Sequence, residues 1–387
     1  MTIRPRKLIK LAKKFGTPIY VYDLKEIEKN FWRFYSAFKK MYPKFQTLYA
    51  YKANSHVRIC RLLKKLGAGA DVVSGGELAL AKKLKLPAEK ILFTNNAKSE
   101  EELRFALCYG CIINLDNFDE AKTLLSLAKK TKKRPKVSVR INPGIEPHTH
   151  KKIATGAKET KFGLHPPQAV KLYQWLKKKN FEIWGIHCHI GSQILEIEPF
   201  VKEAELIMKL VWQLKKMEII LKFVNLGGGL GIDYYHQNKD LPPEKLAQAI
   251  IPVIKKWNQK IGYEPELWLE PGRYLVASAG LLLTKVLSIK KTPYKKFVNL
   301  NCGFNTLLRP AFYGAYHQVI NLNQHSKIRP ERYDLAGNLC ETGDILGKDR
   351  ILKVKKGDIL AILDTGAYGY SMASEYNLRP KPKEIFI

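Results

Sequence analysis

From residue 45 onward, short β-prone runs recur at intervals: TLYAYK (47–52), GADVVS (69–74), ILFTNN (91–96), CIINLD (111–116), KVSVRIN (136–142), IWGIHCHI (183–190), KFVNLGG (222–228) and ELWLEPG (266–272). The segments between them carry apolar residues at helical spacing, as in GELALAKKLK, EEELRFALCYG, FDEAKTLLSLAKK, QAVKLYQWLKKK and PFVKEAELIMKLVWQLKK. Eight strand–helix units in succession predict an α/β fold of the parallel (β/α)8 TIM-barrel type rather than an open sheet.

After residue 280 the pattern changes. LLLTKVLSI, KFVNLNCG, RYDLAGNLC and DILAILDTGAY are β-type runs separated by turns, with little that reads as a long helix. They predict a C-terminal all-β domain, barrel or sandwich, which the strand-like TPIYVYD near the N-terminus is expected to join. The expected organisation is therefore an N-terminal segment over 1–35 contributing to the β domain, the (β/α)8 barrel over 36–280, and the β domain over 281–387.

The 387 residues allow two or three domains at about 150 residues each. Apolar residues make up 45% and charged residues 26%, and no uncharged apolar run reaches the length that crosses a bilayer. The N-terminus MTIRPRKLIKLAKKFG is basic but has no apolar core or cleavage site of a secretory signal, so the expected location is the cytoplasm, with no membrane partner.

A net charge of +32 raises the question of nucleic acid. The lysines are spread over nearly every predicted helix, the densest run KKTKKRPK (129–136) reads as a solvated helix end, and no nucleic-acid module surrounds it. A lysine-biased surface without a nucleic-acid partner is the reading taken. The six cysteines have no disulfide framework spacing, and the lone CxxC of Cys108 and Cys111 lacks a second pair for zinc, so burial beside a strand is expected there and no metal.

Unusual polar residues gather at the C-terminal ends of the predicted strands, the face on which a barrel builds its active site: Lys52, Asp71, Ser74, Asn95, Arg140, Asn142, His189, Gly227 to Gly229, Glu270 and Arg273. Lys52 closes an aromatic strand, where partial desolvation lowers an amine's pKa and suits it to Schiff-base chemistry; taken alone it reads more readily as a strand-end lysine reaching solvent. NLGGGLGID lets backbone amides approach an anion closely, or is simply a tight turn, and it lacks the GxGxxG of a dinucleotide site. EPGR (270–273) adds a loop with a cation, and Ser192 a hydroxyl.

His187 and His189 share a strand face. The metal-hydrolase reading of that pair lacks the further His and Asp ligands at later strand ends, and His187 reads as a core residue. Glu270 reads either as the partner of a cofactor ring nitrogen or as an ion-pair partner of Arg273.

Taken together, YAYKAN, DVVSGGEL, RINPGIEPHTHKKIATGAKETKFGL, GIHCHIGSQI, NLGGGLGI, EPGRYLVASAG, LLRPAFYGAYH, CETGD and GAYGYSMASEYNLRP resemble, in order from about residue 17 to 383, the alanine-racemase-like, fold-type III pyridoxal-phosphate decarboxylases, and within them the diaminopimelate decarboxylase family. The resemblance implies that Lys52 holds pyridoxal 5'-phosphate covalently, that His189 stacks on its ring, and that Glu270 pairs with the pyridine nitrogen. It implies further that Ser192, Gly228, Gly229, Gly272 and Arg273 hold the phosphate and that Tyr368 approaches the cofactor.

For substrate, the resemblance points to Arg273, Arg309, Tyr313, Glu341 and Tyr368, with Cys340 of CETGD as the catalytic proton donor. A second amino-acid centre asks for arginine at its carboxylate and a carboxylate at its ammonium, which Arg309 and Glu341 match. The implied reaction is decarboxylation of meso-2,6-diaminopimelate to L-lysine and carbon dioxide, the last step of lysine biosynthesis, in a homodimer whose subunits share active sites. A decarboxylase of another diamino acid, of ornithine or lysine type, is the alternative, disfavoured because such substrates lack the carboxylate that Arg309 would take. A non-catalytic regulator on this fold should have lost Lys52 or Cys340, and neither is lost. One departure from the family pattern is Asn301 where an aspartate is usual.

Overall fold

A strand of four buried residues, β1 (Ile19–Tyr22), precedes the barrel in a computed structural model that describes residues 4–146, 156, 159–323 and 325–387. Eight parallel strands then close on themselves: β2 (Phe45–Ala50), β3 (Gly69–Val72), β4 (Ile91–Thr94), β5 (Ile112–Leu115), β6 (Lys136–Ile141), β7 (Glu182–Cys188), β8 (Phe223–Asn225) and β9 (Glu266–Leu269). β9 returns to β2 through Phe45–Leu267, Gln46–Trp268 and Thr47–Leu269, which completes the predicted (β/α)8 barrel. Four of these strands, β3, β4, β5 and β8, are buried along their whole length, as a sheet covered on both faces requires.

Several of the intervening helices start where their sequences supply caps. Ser74 accepts from the Glu77 amide, Asn117 from the Glu120 amide, and Ser99 forms a reciprocal capping box with Glu102. Their ends carry lysine pairs: Lys64 and Lys65, Lys82 and Lys83, Lys129 and Lys130, Lys177 and Lys178, Lys215 and Lys216. These ten lysines thus face the negative ends of helix dipoles.

Inside the barrel, Phe223 and Trp268 stack 3.8 Å apart with an interplanar angle of 1°, packed with Leu48, Leu92 and Ile112. Gly185 on β7 makes room for this stack, since a Cβ there would enter the Phe223 ring.

The chain divides into two compact units. One comprises Asn30–Gly231 and Asp240–Gly272 and contains the barrel; the other comprises Met1–Lys29, Ile232–Lys239 and Arg273–Ile387. The second is built from β1 with β10 (Gly280–Lys291), β11 (Lys296–Leu300), β12 (Val319–Asn321), β13 (Glu331–Ala336), β14 (Ile345–Leu352), β15 (Ile359–Ile362) and β16 (Lys383–Phe386). β1 pairs antiparallel with β10 and parallel with β16, so TPIYVYD does join the β domain as expected. Leu8, Ala12, Ile19, Val21, Leu281, Leu283, Leu322 and Ala361 form its core.

Strands β12, β14 and β16 were not among the predicted runs. In β14, ILGKDRIL interrupts the apolar pattern with Lys348, Asp349 and Arg350, and pairing with β13 rather than burial makes it a strand. Asn301 has a local reason in this unit. Its oxygen accepts from Thr284 Oγ1 and the Lys285 amide at 2.8 Å each, and its Nδ2 donates to Thr17 O at 2.7 Å, a bond no ionised aspartate could make. Among the described residues no helix is long and apolar enough to cross a membrane.

Candidate active site

Within the barrel unit, Lys52 lies in a 3-10 turn, Tyr51–Ala53, directly after β2. Its Nζ is 3.5 Å from Asp71 Oδ2 on β3. Burial, with Glu270 nearby, pushes the Asp71 carboxyl up to about 7, against the opposing pull of Lys52.

Glu270, just after β9, is buried and held at both oxygens. Asn225 Nδ2 donates to Oε1 at 2.7 Å, and His187 Nε2 lies 3.3 Å from Oε2. Burial alone would raise the Glu270 pKa; His187, Lys52 and the hydrogen bonds outweigh it, and the carboxyl is held below its ordinary value. Burial lowers the His187 pKa in turn, so the arrangement is a neutral imidazole donating from Nε2 to a carboxylate, with Nδ1 meeting no hydrogen-bond partner among the described residues. His187 is therefore a buried core residue, but a polar one that contacts the site.

His189 accepts from the Gly228 amide at Nδ1, 3.2 Å away. Burial and the charges of Lys52 and Arg140 hold this ring well below its ordinary pKa, leaving it neutral. Gly227 and Gly229 have φ of +62° and +104°, and a Cβ on Gly227, Gly228 or Gly229 would strike the backbone oxygens of Cys188, Glu270 or Gly191 respectively. The triple glycine is thus required by close backbone approach. Gly272 is similarly enclosed, with Ala53 and Ala50 within 3.2 Å of where its Cβ would be.

Several other strand-end residues shape loops. Ser74 caps a helix, Asn95 Nδ2 donates to Val73 O at 2.8 Å, and Asn142 Oδ1 accepts from the Gly144 amide at 3.0 Å. Arg140 is buried with its guanidinium 4.4 Å from the Phe162 ring centre. Much of RINPGIEPHTHKKIATGAKETKFGL falls on 147–155 and 157–158, outside the described residues. Behind the glycine loop, a cavity lined by Phe200, Glu203, Leu226, Gly227, Gly228 and Leu230 has room for about one water molecule. Glu203 is fully buried there, and burial holds its carboxyl well above the ordinary range.

In the β unit, Arg273 Nη1 donates to Tyr234 Oη at 2.7 Å, and its guanidinium lies 4.9 Å from the Tyr368 ring centre. Arg309 stands 4.5 Å from the Tyr234 ring centre, and its Nη1 is 2.7 Å from His317 Nε2. Tyr368 holds a left-handed φ of +57°. Tyr313 packs edge-on against Phe312 at 4.7 Å.

The contacts of Cys340 and Glu341 are of another kind. Both are exposed; the Cys340 amide donates to Asn377 Oδ1 at 3.1 Å, and Tyr376 Oη donates to Glu341 Oε1. Ser192 is half-buried on the loop after β7. Sequence reasoning missed Asn225 as a neighbour of Glu270, Tyr234 as a neighbour of Arg273 and Arg309, and His317 as a neighbour of Arg309. Each stands inside a quoted or adjoining motif, NLGGG, GIDYYH and AFYGAYH, but none sits at a predicted strand end.

A family model for the pyridoxal binding domain of pyridoxal-dependent decarboxylases matches residues 24–277. A curated diaminopimelate decarboxylase of Methanocaldococcus jannaschii is 45% identical across 97% of this chain and 87% of its own length. The chain belongs to the diaminopimelate decarboxylase family. A second member, from Bacillus subtilis, is 42% identical across 97% of this chain and 88% of its own length. The crystal structure of the M. jannaschii diaminopimelate decarboxylase in complex with L-lysine superimposes with a TM-score of 0.93, at 44% identity, covering 98% of this chain and 89% of that one. Membership accounts for the architecture of both units: barrel and β domain recur together in a solved family structure.

Proposed function

We propose that this chain, with pyridoxal 5'-phosphate, decarboxylates meso-2,6-diaminopimelate at its D-configured centre to L-lysine and carbon dioxide. The observation that carries the substrate is Arg309. It is buried, meets no carboxylate among the described residues, and is held instead by a neutral imidazole and an aromatic face. A buried cation so placed favours an anionic ligand, and the far carboxylate of a diamino diacid supplies one.

The barrel residues fit the cofactor. A backbone cradle that any Cβ would fill, an anionic buried Glu270, a neutral His189 and an amine at Lys52 form a donor set suited to a phosphate, a protonated pyridine, a ring face and an aldehyde respectively. When bound there, pyridoxal phosphate supplies the electron sink for the carbanion left as carbon dioxide departs. Lys52 would hold it covalently, and Glu270 would keep a proton on the ring nitrogen. His189 would stack on its ring and Ser192, Gly228, Gly229 and Gly272 would hold its phosphate; from the β unit, Arg273 and Tyr368 would serve the same cofactor.

Arg273, Arg309, Tyr313 and Tyr368 orient the substrate, and Glu341 takes its far ammonium. Cys340 returns a proton to the carbon that lost its carboxylate. Exposure of Cys340 and Glu341, beside a Leu378 that is 97% exposed, supports a homodimer in which this loop serves the partner's site.

The test is an absorbance spectrum of purified protein supplied with pyridoxal phosphate, followed by addition of meso-diaminopimelate and assay of L-lysine and carbon dioxide. A band near about 420 nm that shifts on addition, with lysine formed, is the expected result. A band with no lysine formed overturns the substrate, and no band overturns the cofactor.

A further inference from the structure

We propose that His317 is a positioning residue: it fixes the Arg309 guanidinium while leaving its charge uncompensated, so that the site selects ligands with a carboxylate at the end remote from the reacting carbon. This rests on the reading above that Arg309 receives the far carboxylate.

His317 is fully buried, and both ring nitrogens are committed. Nε2 is 2.7 Å from Arg309 Nη1, and Nδ1 is 2.7 Å from Leu363 O. A guanidinium N–H can only donate and a carbonyl can only accept. Nε2 must therefore carry the lone pair and Nδ1 the hydrogen, which leaves a single neutral tautomer compatible with both partners. A second proton would set an N–H against an N–H next to a buried cation. Tyr234, 5.1 Å from His317 in edge contact, covers the face of Arg309, so the guanidinium is fixed by an imidazole and a phenol ring rather than by an acid.

The choice of partner has a chemical consequence. A carboxylate at this position would orient Arg309 equally well but would neutralise it, and an incoming substrate carboxylate would have to compete with it. A neutral acceptor takes one N–H and leaves the remaining donors and the full charge to the ligand.

Two substitutions separate positioning from simple packing. In His317→Gln the amide oxygen falls about where Nε2 was and can still accept from Arg309. In His317→Asn the amide nitrogen falls about where Nδ1 was, so the Leu363 bond is kept and the Arg309 bond is lost. The experiment titrates each holoenzyme with L-lysine, which retains the far carboxylate, and with cadaverine, which has none, and measures KM and kcat with meso-diaminopimelate. His317→Asn is expected to weaken L-lysine about tenfold or more and to raise KM more than it lowers kcat, with cadaverine changed less than about threefold and His317→Gln close to wild type.

Unchanged L-lysine affinity in His317→Asn overturns the proposal, as does equal weakening of both ligands. Should His317→Asn fail to fold, nitrogen-15 NMR of the wild-type imidazoles, with His317 identified by its loss in His317→Gln, decides instead. The Nδ1–H neutral tautomer supports the proposal, and an Nε2–H or doubly protonated ring overturns it. A wild type that forms no lysine defeats the substrate assignment separately, and the tautomer measurement still decides whether His317 holds Arg309.

Discussion

His187 Nε2 lies 3.3 Å from Glu270 Oε2 while Asn225 holds the other carboxylate oxygen at 2.7 Å, so two neutral donors fix one buried anion at the end of β9. Neutral donors orient the charge without cancelling it, which suits the role proposed for Glu270 beside a protonated ring nitrogen. Glu270→Gln should keep cofactor bound, as judged by its visible band, and lower kcat on the order of a hundredfold or more. His187→Phe, which leaves Asn225 in place, should cost much less. Full turnover in Glu270→Gln would remove it from the mechanism.

Lys52 and Cys340 should separate spectroscopically. Lys52→Ala is expected to abolish the visible cofactor band and activity together. Cys340→Ala should leave the band intact and slow turnover on the order of a hundredfold, the scale of one lost proton-transfer group. A retained band in Lys52→Ala, or full activity in Cys340→Ala, contradicts the respective role. If subunits share sites, mixing the two variants should restore activity above the sum of the two alone, because one mixed site combines an intact lysine with an intact cysteine.

The barrel and its strand-end residues were legible because β/α alternation is written in local apolar spacing, and because the chemistry collects on one face of such a barrel. Lys52, His189, Gly228 and Glu270 each follow a barrel strand, as that logic expects. Ser74, Asn95 and Asn142 were equally prominent, and they turned out to cap a helix or brace loops, since a short polar side chain after a strand satisfies backbone groups as readily as it binds a ligand. The second unit was less legible. β12 and β16 are only three and four residues long, and β14 carries charges, so their identity comes from pairing with distant segments. His317 was hidden for a similar reason: its partners, Arg309 and Leu363, meet it only in the folded unit.

Asp71 gives a pH signature. Its carboxyl is pushed up to about 7 in the folded protein, first by burial and then by Glu270, whereas an unfolded aspartate titrates near ~4. Between those values the folded state binds more protons than the unfolded one, so this group makes stability fall as pH rises from about 4 to about 7. Asp71→Asn should flatten that part of the profile. Urea denaturation of the cofactor-free protein at several pH values, wild type against variant, measures it, and identical slopes would show that Asp71 titrates normally in the folded state.

Gly228 separates a backbone requirement from a merely flexible turn. Its amide donates to His189 Nδ1, and a Cβ at this position would collide with the backbone oxygen of Glu270. Gly228→Ala must therefore push apart the glycine loop and the end of β9, and overpacking of this kind costs about 1–3 kcal/mol. Stability is only part of the consequence, because the displaced loop carries the proposed phosphate amides and the displaced strand end carries Glu270. The expected outcome is weaker pyridoxal-phosphate binding, measured by equilibrium dialysis, together with a lowered kcat at saturating cofactor. A variant with wild-type cofactor affinity and turnover would mean that the loop relaxes without moving Glu270, and that the close approach of the two backbones is not what holds the site.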